Sequence, residues 1–419
     1  MNYLNKIHSM YNTFTLPSGM RIIHKETRST VAHCGVMIDA GARDEEKQDH
    51  GLAHFIEHVI FKGTEKRKAF HILSRIDNVG GDLNAYTTKE ETCIYASFLT
   101  GYYERAIELF SDLLFHSVFP EKEIEKEKDV VYDEITSYLD TPWEQIADDF
   151  EDQLFAGHNL GRNILGTREC LSKISRNSIL NFIKKYYYPK NMVLCSVGPI
   201  SMKKLIYYAE KYFDKGPQPF EKPIRIPVNS YQPKNISLER NSFQTHVVVG
   251  NRAFPWSDER RTTLALLTNY LGGPAMNTRL NMAIREKHGI TYNIEAQYTP
   301  YSDTGVFFVY MGMDPSNAEK ALQLLHKEFE KIRSVVSGTR QLQNAKKQFK
   351  GQLALAQESN LAEMLSMGKS ILVKNQVDSL EEVHRRIDAV SDRELLETAN
   401  IILHPQQLSM LLFKGNENE

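Results

Sequence analysis

Long apolar runs are missing from this chain. No stretch approaches the roughly 20 consecutive apolar residues that a membrane-spanning helix needs, so insertion into a membrane is not expected. The opening residues, Met1 to His8, hold no apolar core of the kind that marks a secretory signal, and a cytoplasmic location is the expectation. Cysteine is scarce. The 4 residues in 419, Cys34, Cys93, Cys170 and Cys195, are dispersed, with no Cys-x-x-Cys pair. That excludes a disulfide framework and a thiolate metal site, and it suits a reducing compartment. Neither sign of charge dominates. Lys+Arg total 51 against Asp+Glu 53, a net charge of −2, which gives no electrostatic reason to expect nucleic acid or a membrane surface as partner.

What is present is the composition of a globular protein, 41% hydrophobic and 25% charged. The length calls for two domains. A boundary is visible where Pro217, Pro219, Pro223, Pro227 and Pro233 cluster, because proline at that density forbids regular helix and interior strand. The chain therefore divides into residues 1–216, a linker at 217–233, and residues 234–419. The second part repeats the first. Ile174-Ser175 is followed by Tyr188-Pro189 and an apolar strand ending at Gly198. Val390-Ser391 is followed, at the same interval, by His404-Pro405 and an apolar strand ending at Gly415. Alternating strands, such as the run read from Asn84 to Phe98, mix with helical periodicities in both halves. The expected fold is α+β, a duplicated unit with a mainly antiparallel sheet packed with helices.

The stretch with most chemical content is Gly51-Leu-Ala-His-Phe-Ile-Glu-His58. On a helix, His54 and His58 stand one turn apart on one face, with Glu57 beside them. Leu52, Phe55, Ile56, Val59 and Ile60 form the opposite apolar stripe. Two neutral imidazoles so placed can grip zinc, and the neighbouring carboxylate can take a proton from an attacking water. The bare pattern is short, and 14 histidines can produce it by accident. A second helix, Glu121 to Leu139, carries an apolar stripe of Ile124, Val131, Ile135 and Tyr138. Glu127 and Glu134 fall on that same inward stripe. A carboxylate there is costly unless a cation or donors meet it; two glutamates snorkelling at the edge of the stripe is the plainer alternative.

His54-Phe55-Ile56-Glu57-His58 resembles the inverted zinc motif of the pitrilysin-type metallopeptidases, the inverzincins. The segment from Glu127 to Ile135 is similar to that family's Glu-x-x-Val-x-x-x-Glu-Ile pattern. The resemblance implies one Zn2+ per chain on His54, His58 and Glu134, with Glu57 as catalytic base and Glu127 as a supporting carboxylate. It implies that the segment Gly80 to Thr88 contains an edge strand to which substrate adds through its main chain, Asn84 and Ala85 contacting the scissile residue. The second half lacks the metal motif. Its Arg285 and Tyr292 match the family's Arg/Tyr pair, which implies a role in holding substrate and the developing oxyanion. Taken without the resemblance, they are a helix-end arginine and a strand tyrosine.

The expected activity is zinc-dependent endopeptidase action on short or unfolded peptides inside a closed chamber. Two-domain members need two chains to close a chamber, so the resemblance implies a homodimer, with a heterodimer with a related chain as the other possibility. The competing function is a non-catalytic scaffold or partner subunit of a processing-peptidase-like complex, whose members typically lack part of the ligand set. A structural zinc site is the third reading, although such sites usually have four ligands, often cysteine.

Overall fold

The computed structural model describes residues 10–214, 216, 219–228, 230–335 and 338–416. The N-terminal stretch Met1 to His8 and linker positions 217, 218 and 229 lie outside the described residues.

The chain forms two compact units. The first contains residues 10–132, 164–225 and 355–379; the second contains 133–163, 226–354 and 380–416, counting described residues. In the first, six strands pair in the order β1 (Asn12–Thr15), β2 (Arg21–Glu26), β6 (Met192–Gly198), β3 (Val31–Ile38), β5 (Thr92–Leu99) and β4 (Asp82–Thr87). Only β2 and β6 run parallel. In the second, five strands pair in the order β7 (Asn235–Glu239), β11 (Ser409–Lys414), β8 (Thr245–Ala253), β10 (Gly305–Met313) and β9 (Thr291–Pro300). Here only β7 and β11 run parallel. Apart from the extra β1, the two sheets have one topology. The matching serines also do the same work: Ser175 and Ser391 each cap a helix through a capping box. The α+β expectation and the duplication are both met.

Two features depart from the sequence reading. The run Asn84 to Phe98 is not one strand but the β4–β5 hairpin. Its turn is Thr88-Lys-Glu-Glu91, where Thr88 Oγ1 accepts from the backbone of Glu90 and Glu91 and the Thr88 backbone donates to Glu91 O at 2.8 Å. Local side-chain acceptors of this kind outcompete the ladder. The compact units also cross the boundaries 1–216 and 234–419. The helix Pro142–Leu154 belongs to the second unit, where Ile146, Phe150 and Leu154 pack with Val248, Phe308 and Leu411. The helix Asn360–Lys374 belongs to the first, where Met364, Met367 and Ile371 pack with Met37, Val193 and Cys195. Each half lends the other a helix.

Midway along the linker stands a firm anchor. Arg225 donates from Nε and Nη2 to the two Asp44 carboxylate oxygens at 2.9 and 2.8 Å, and from Nη2 to Glu90 O at 2.8 Å. These charge-assisted bonds tie the loop leading into the motif helix to the β4–β5 turn.

Candidate metal centre

The motif helix spans Leu52–Val59, with Gly51 as its N-cap at φ +94°. Only glycine adopts that φ without strain, and a Cβ on Gly51 would lie 2.8 Å from Gly166 Cα. The helix's free N–H groups meet a buried carboxylate: Glu45 accepts from Gly51 N at 2.9 Å and Ala53 N at 2.8 Å. An anion at this end also suits the helix dipole. Leu52, Phe55, Ile56, Val59 and Ile60 are all 2% exposed or less, and the helix packs against β4. Burial of that stripe fixes the rotation of the helix, and the rotation brings the two imidazoles together. Their ring centroids are 4.7 Å apart at 65°.

The third donor comes from the helix Glu121–Leu139. Ile124, Val131 and Ile135 are buried as its stripe requires. The boundary between the two units falls between Tyr132 and Asp133, but the helix runs through it unbroken, so Glu134 is carried by an element rooted beside Glu127. Ligand atoms of His54, His58 and Glu134 all lie within 4.8 Å of one another, forming a candidate metal-holding group of three. His54 Nδ1, Glu57 Oε2 and Glu134 Oε2 are shut off from solvent. Donors on zinc at 2.0–2.2 Å stand about 3.3 Å apart. The donor set, two imidazoles and a carboxylate, fits Zn2+ with room for a fourth ligand.

Glu127 sits behind His58. Its Oε1 lies 3.2 Å from His58 Nδ1, and its Oε2 accepts from Lys62 Nζ at 2.6 Å. A carboxylate can only accept, so Nδ1 carries the hydrogen and Nε2 keeps its lone pair for a metal. The sequence reading gave Lys62, Glu45 and Gly166 no role at the site. The signal for Glu45 was an acid shortly before a glycine-led helix; nothing local pointed to Lys62. Two phenols near Glu57 were also missed. Burial pushes the Tyr95 and Tyr187 hydroxyls up, and the Glu57 carboxylate adds to both, so both remain neutral around it.

Among the described residues β4 is the edge of its sheet, with β5 its one strand neighbour. Asn84 and Ala85 lie in it opposite Tyr95 and Ile94; Asn84 is exposed and donates to Asp82 Oδ2 at 2.5 Å. Arg285 is in the second unit, in the π-helical turn Asn281–Glu286, with Glu286 Oε1 3.9 Å from its Nε. Tyr292 is in β9; its side chain lies outside the described residues. β9 is the second unit's counterpart of β4, and the helix Arg261–Gly272 stands where the motif helix would be, without the motif.

Comparison with known proteins identifies the family. The sequence profile described as "Insulinase (Peptidase family M16)" matches residues 21–168, and the one described as "Peptidase M16 inactive domain" matches residues 173–349. The uncharacterized zinc protease YmxG of Bacillus subtilis is 32% identical over 389 residues, 91% of this chain and 93% of its own. An uncharacterized zinc protease of Rickettsia felis is 32% identical, covering 86% and 87%. Among solved structures, a protease from Helicobacter pylori superposes with a TM-score of 0.88 at 20% identity, over 96% of this chain and 99% of that one. A Pseudomonas fluorescens structure described as a peptidase M16 inactive domain gives 0.90 at 18%, over 97% of each. These likenesses show the fold. The chain is a two-domain protein of the pitrilysin-like zinc protease class, and it belongs to peptidase family M16.

Proposed function

We propose that the chain is a zinc-dependent endopeptidase that hydrolyses bonds in short or unfolded peptides. The observation that carries this is the convergence of His54, His58 and Glu134 within 4.8 Å, with Glu57 on the same turn of helix. Bound zinc would polarise the scissile carbonyl and make an attacking water acidic. His54, His58 and Glu134 would hold the ion. Glu127 and Lys62 keep His58 in the tautomer and orientation that ligation needs. Glu57 takes the proton from the attacking water as its oxygen bonds to the carbonyl carbon. It then delivers that proton to the amide nitrogen as the C–N bond breaks. The free side of β4 accepts an extended peptide as a further strand, with Asn84 and Ala85 beside the scissile residue. Selection for extended chains follows, because a folded protein cannot offer a free strand.

Arg285 and Tyr292 hold the substrate and the developing oxyanion, and the active form is a homodimer in which one chain's pair completes the other chain's zinc site in a closed chamber. A heterodimer with a related chain would serve the same geometry. The complete ligand set argues against a scaffold-only role. All four cysteines are free and three are buried, which suits a reducing, cytoplasmic setting. No described helix is long and apolar enough to cross a membrane.

The test is Glu57→Gln, assayed on a library of unstructured peptides. The substitution is expected to keep zinc and to lose roughly 10²- to 10⁴-fold in turnover. Undiminished cleavage would refute the assignment of Glu57 as base.

A further inference from the structure

The second unit contains a cavity of about 700 Å³, within the size range of small-ligand sites. Its lining is strongly basic. Arg279, Lys287, Lys327 and Lys331 contribute four positive charges against one carboxylate, Glu328, in a chain whose net charge is −2. Glu328 is buried and already shared: it accepts from Arg279 Nη2 at 2.9 Å and from Lys331 Nζ. Among the described residues no carboxylate pairs with Lys287 or Lys327. Field from such a one-signed, walled site concentrates anions.

Two further observations point to a ligand. Arg279 is held by its neighbours, with the guanidinium over the Tyr270 ring at 5.6 Å and Nη1 donating to the Tyr270 hydroxyl at 3.3 Å. Yet its Nε is buried and has no hydrogen-bond partner among the described residues. A charged donor in that state is costly unless an acceptor arrives. One wall, carrying Met282 and Ala283, is the π-helical turn Asn281–Glu286, a rare backbone form that concentrates at functional sites. Asn277, Thr278 and Arg279, from the glycine-led turn after the helix Arg261–Gly272, supply another.

We propose that this cavity binds a small oxyanion carrying two or more negative charges, phosphate- or carboxylate-based. Lys287 and Lys327 supply the uncommitted charge, beside the Arg279–Glu328–Lys331 group. The inference concerns the second unit alone and does not depend on the peptidase reading.

The test is isothermal titration of the full chain with sodium tripolyphosphate and, separately, with citrate, each against sodium chloride of matched ionic strength. Saturable binding of about one ion per chain is expected. Tripolyphosphate alone would identify a phosphate ligand, citrate alone a polycarboxylate, and either supports the site. Lys287 and Lys327 are both exposed, so Lys287→Gln/Lys327→Gln should fold normally and bind about tenfold more weakly or worse, the loss expected from two ion contacts. Lys327→Glu alone is the second variant and should show a loss in the same direction. The titration is repeated on His54→Ala, so that chelation of zinc is recognised. No saturable binding, unchanged binding by the lysine variants, or binding that disappears in His54→Ala would each overturn the proposal.

Discussion

Glu127 touches His58 on one side and Lys62 on the other, and this fixes what its loss should do. Glu127→Gln keeps the shape but weakens the charge-assisted bond that orients the ring. The expected result is a 10- to 100-fold loss of zinc affinity, measured by competition with a chromogenic chelator; unchanged affinity would show that His58 needs no such support. At this scale much of the site was legible. His54, Glu57 and His58 announce themselves by spacing; the inward helical stripe marks Glu127 and Glu134 alike, and only the family resemblance singles out Glu134 as the ligand. Lys62, Tyr95 and Tyr187 were not legible, because their nearness to Glu127 or Glu57 arises only when separate elements pack. No spacing rule encodes it.

Element boundaries followed local chemistry well where that chemistry is strong. The helix Glu121–Leu139 has the bounds its charge and stripe pattern suggest, and the capped helices after Ser175 and Ser391 begin where their capping boxes start. The β4–β5 turn was missed because four polar residues on an alternating background do not break the period. The exchange of helices between halves was missed for a different reason. An apolar stripe says that a helix is buried, not which sheet buries it, and sequence proximity is the wrong guide when a crossing is reciprocal. The exchanged helix Pro142–Leu154 gives a pH-dependent prediction. Burial pushes the Asp149 carboxyl up to about 6; Arg240 opposes this, while Asp148 and Asp152 add to it. An acid raised above its ordinary value binds protons more tightly in the folded chain than in the unfolded one. Stability is therefore full at low pH and is lost as pH rises from about 4 towards 6. Asp149→Asn, which stays neutral, should raise the melting temperature at about pH 7 and leave it unchanged at about pH 3. A lower melting temperature at neutral pH would show that the Arg240 attraction outweighs burial.

The whole molecule joins a unit that carries the His54-Phe-Ile-Glu-His58 helix to a topological twin whose corresponding helix has no such motif. The matched "inactive domain" profile and the absence of the motif from the helix Arg261–Gly272 describe the same asymmetry. On the proposed homodimer reading, the unit without the motif holds substrate at the partner's zinc site. Sedimentation should accordingly give a particle of about twice 48.2 kDa, carrying the peptidase activity. Full activity in a stable 48.2 kDa species would separate the chemistry from dimerisation. The family membership and α+β fold stand apart from that question, since they rest on profile matches, sheet order and superposition over nearly the whole chain.

Zinc chemistry in this chain stands or falls with the identity of the atoms that surround the bound ion. Zinc K-edge X-ray absorption on the purified chain reads them directly. The prediction is a shell of nitrogen and oxygen at about 2.0–2.1 Å with no sulfur, containing two imidazoles, and loss of one light scatterer together with weaker zinc retention in Glu134→Gln. A sulfur shell, or a spectrum that Glu134→Gln leaves untouched, would contradict it.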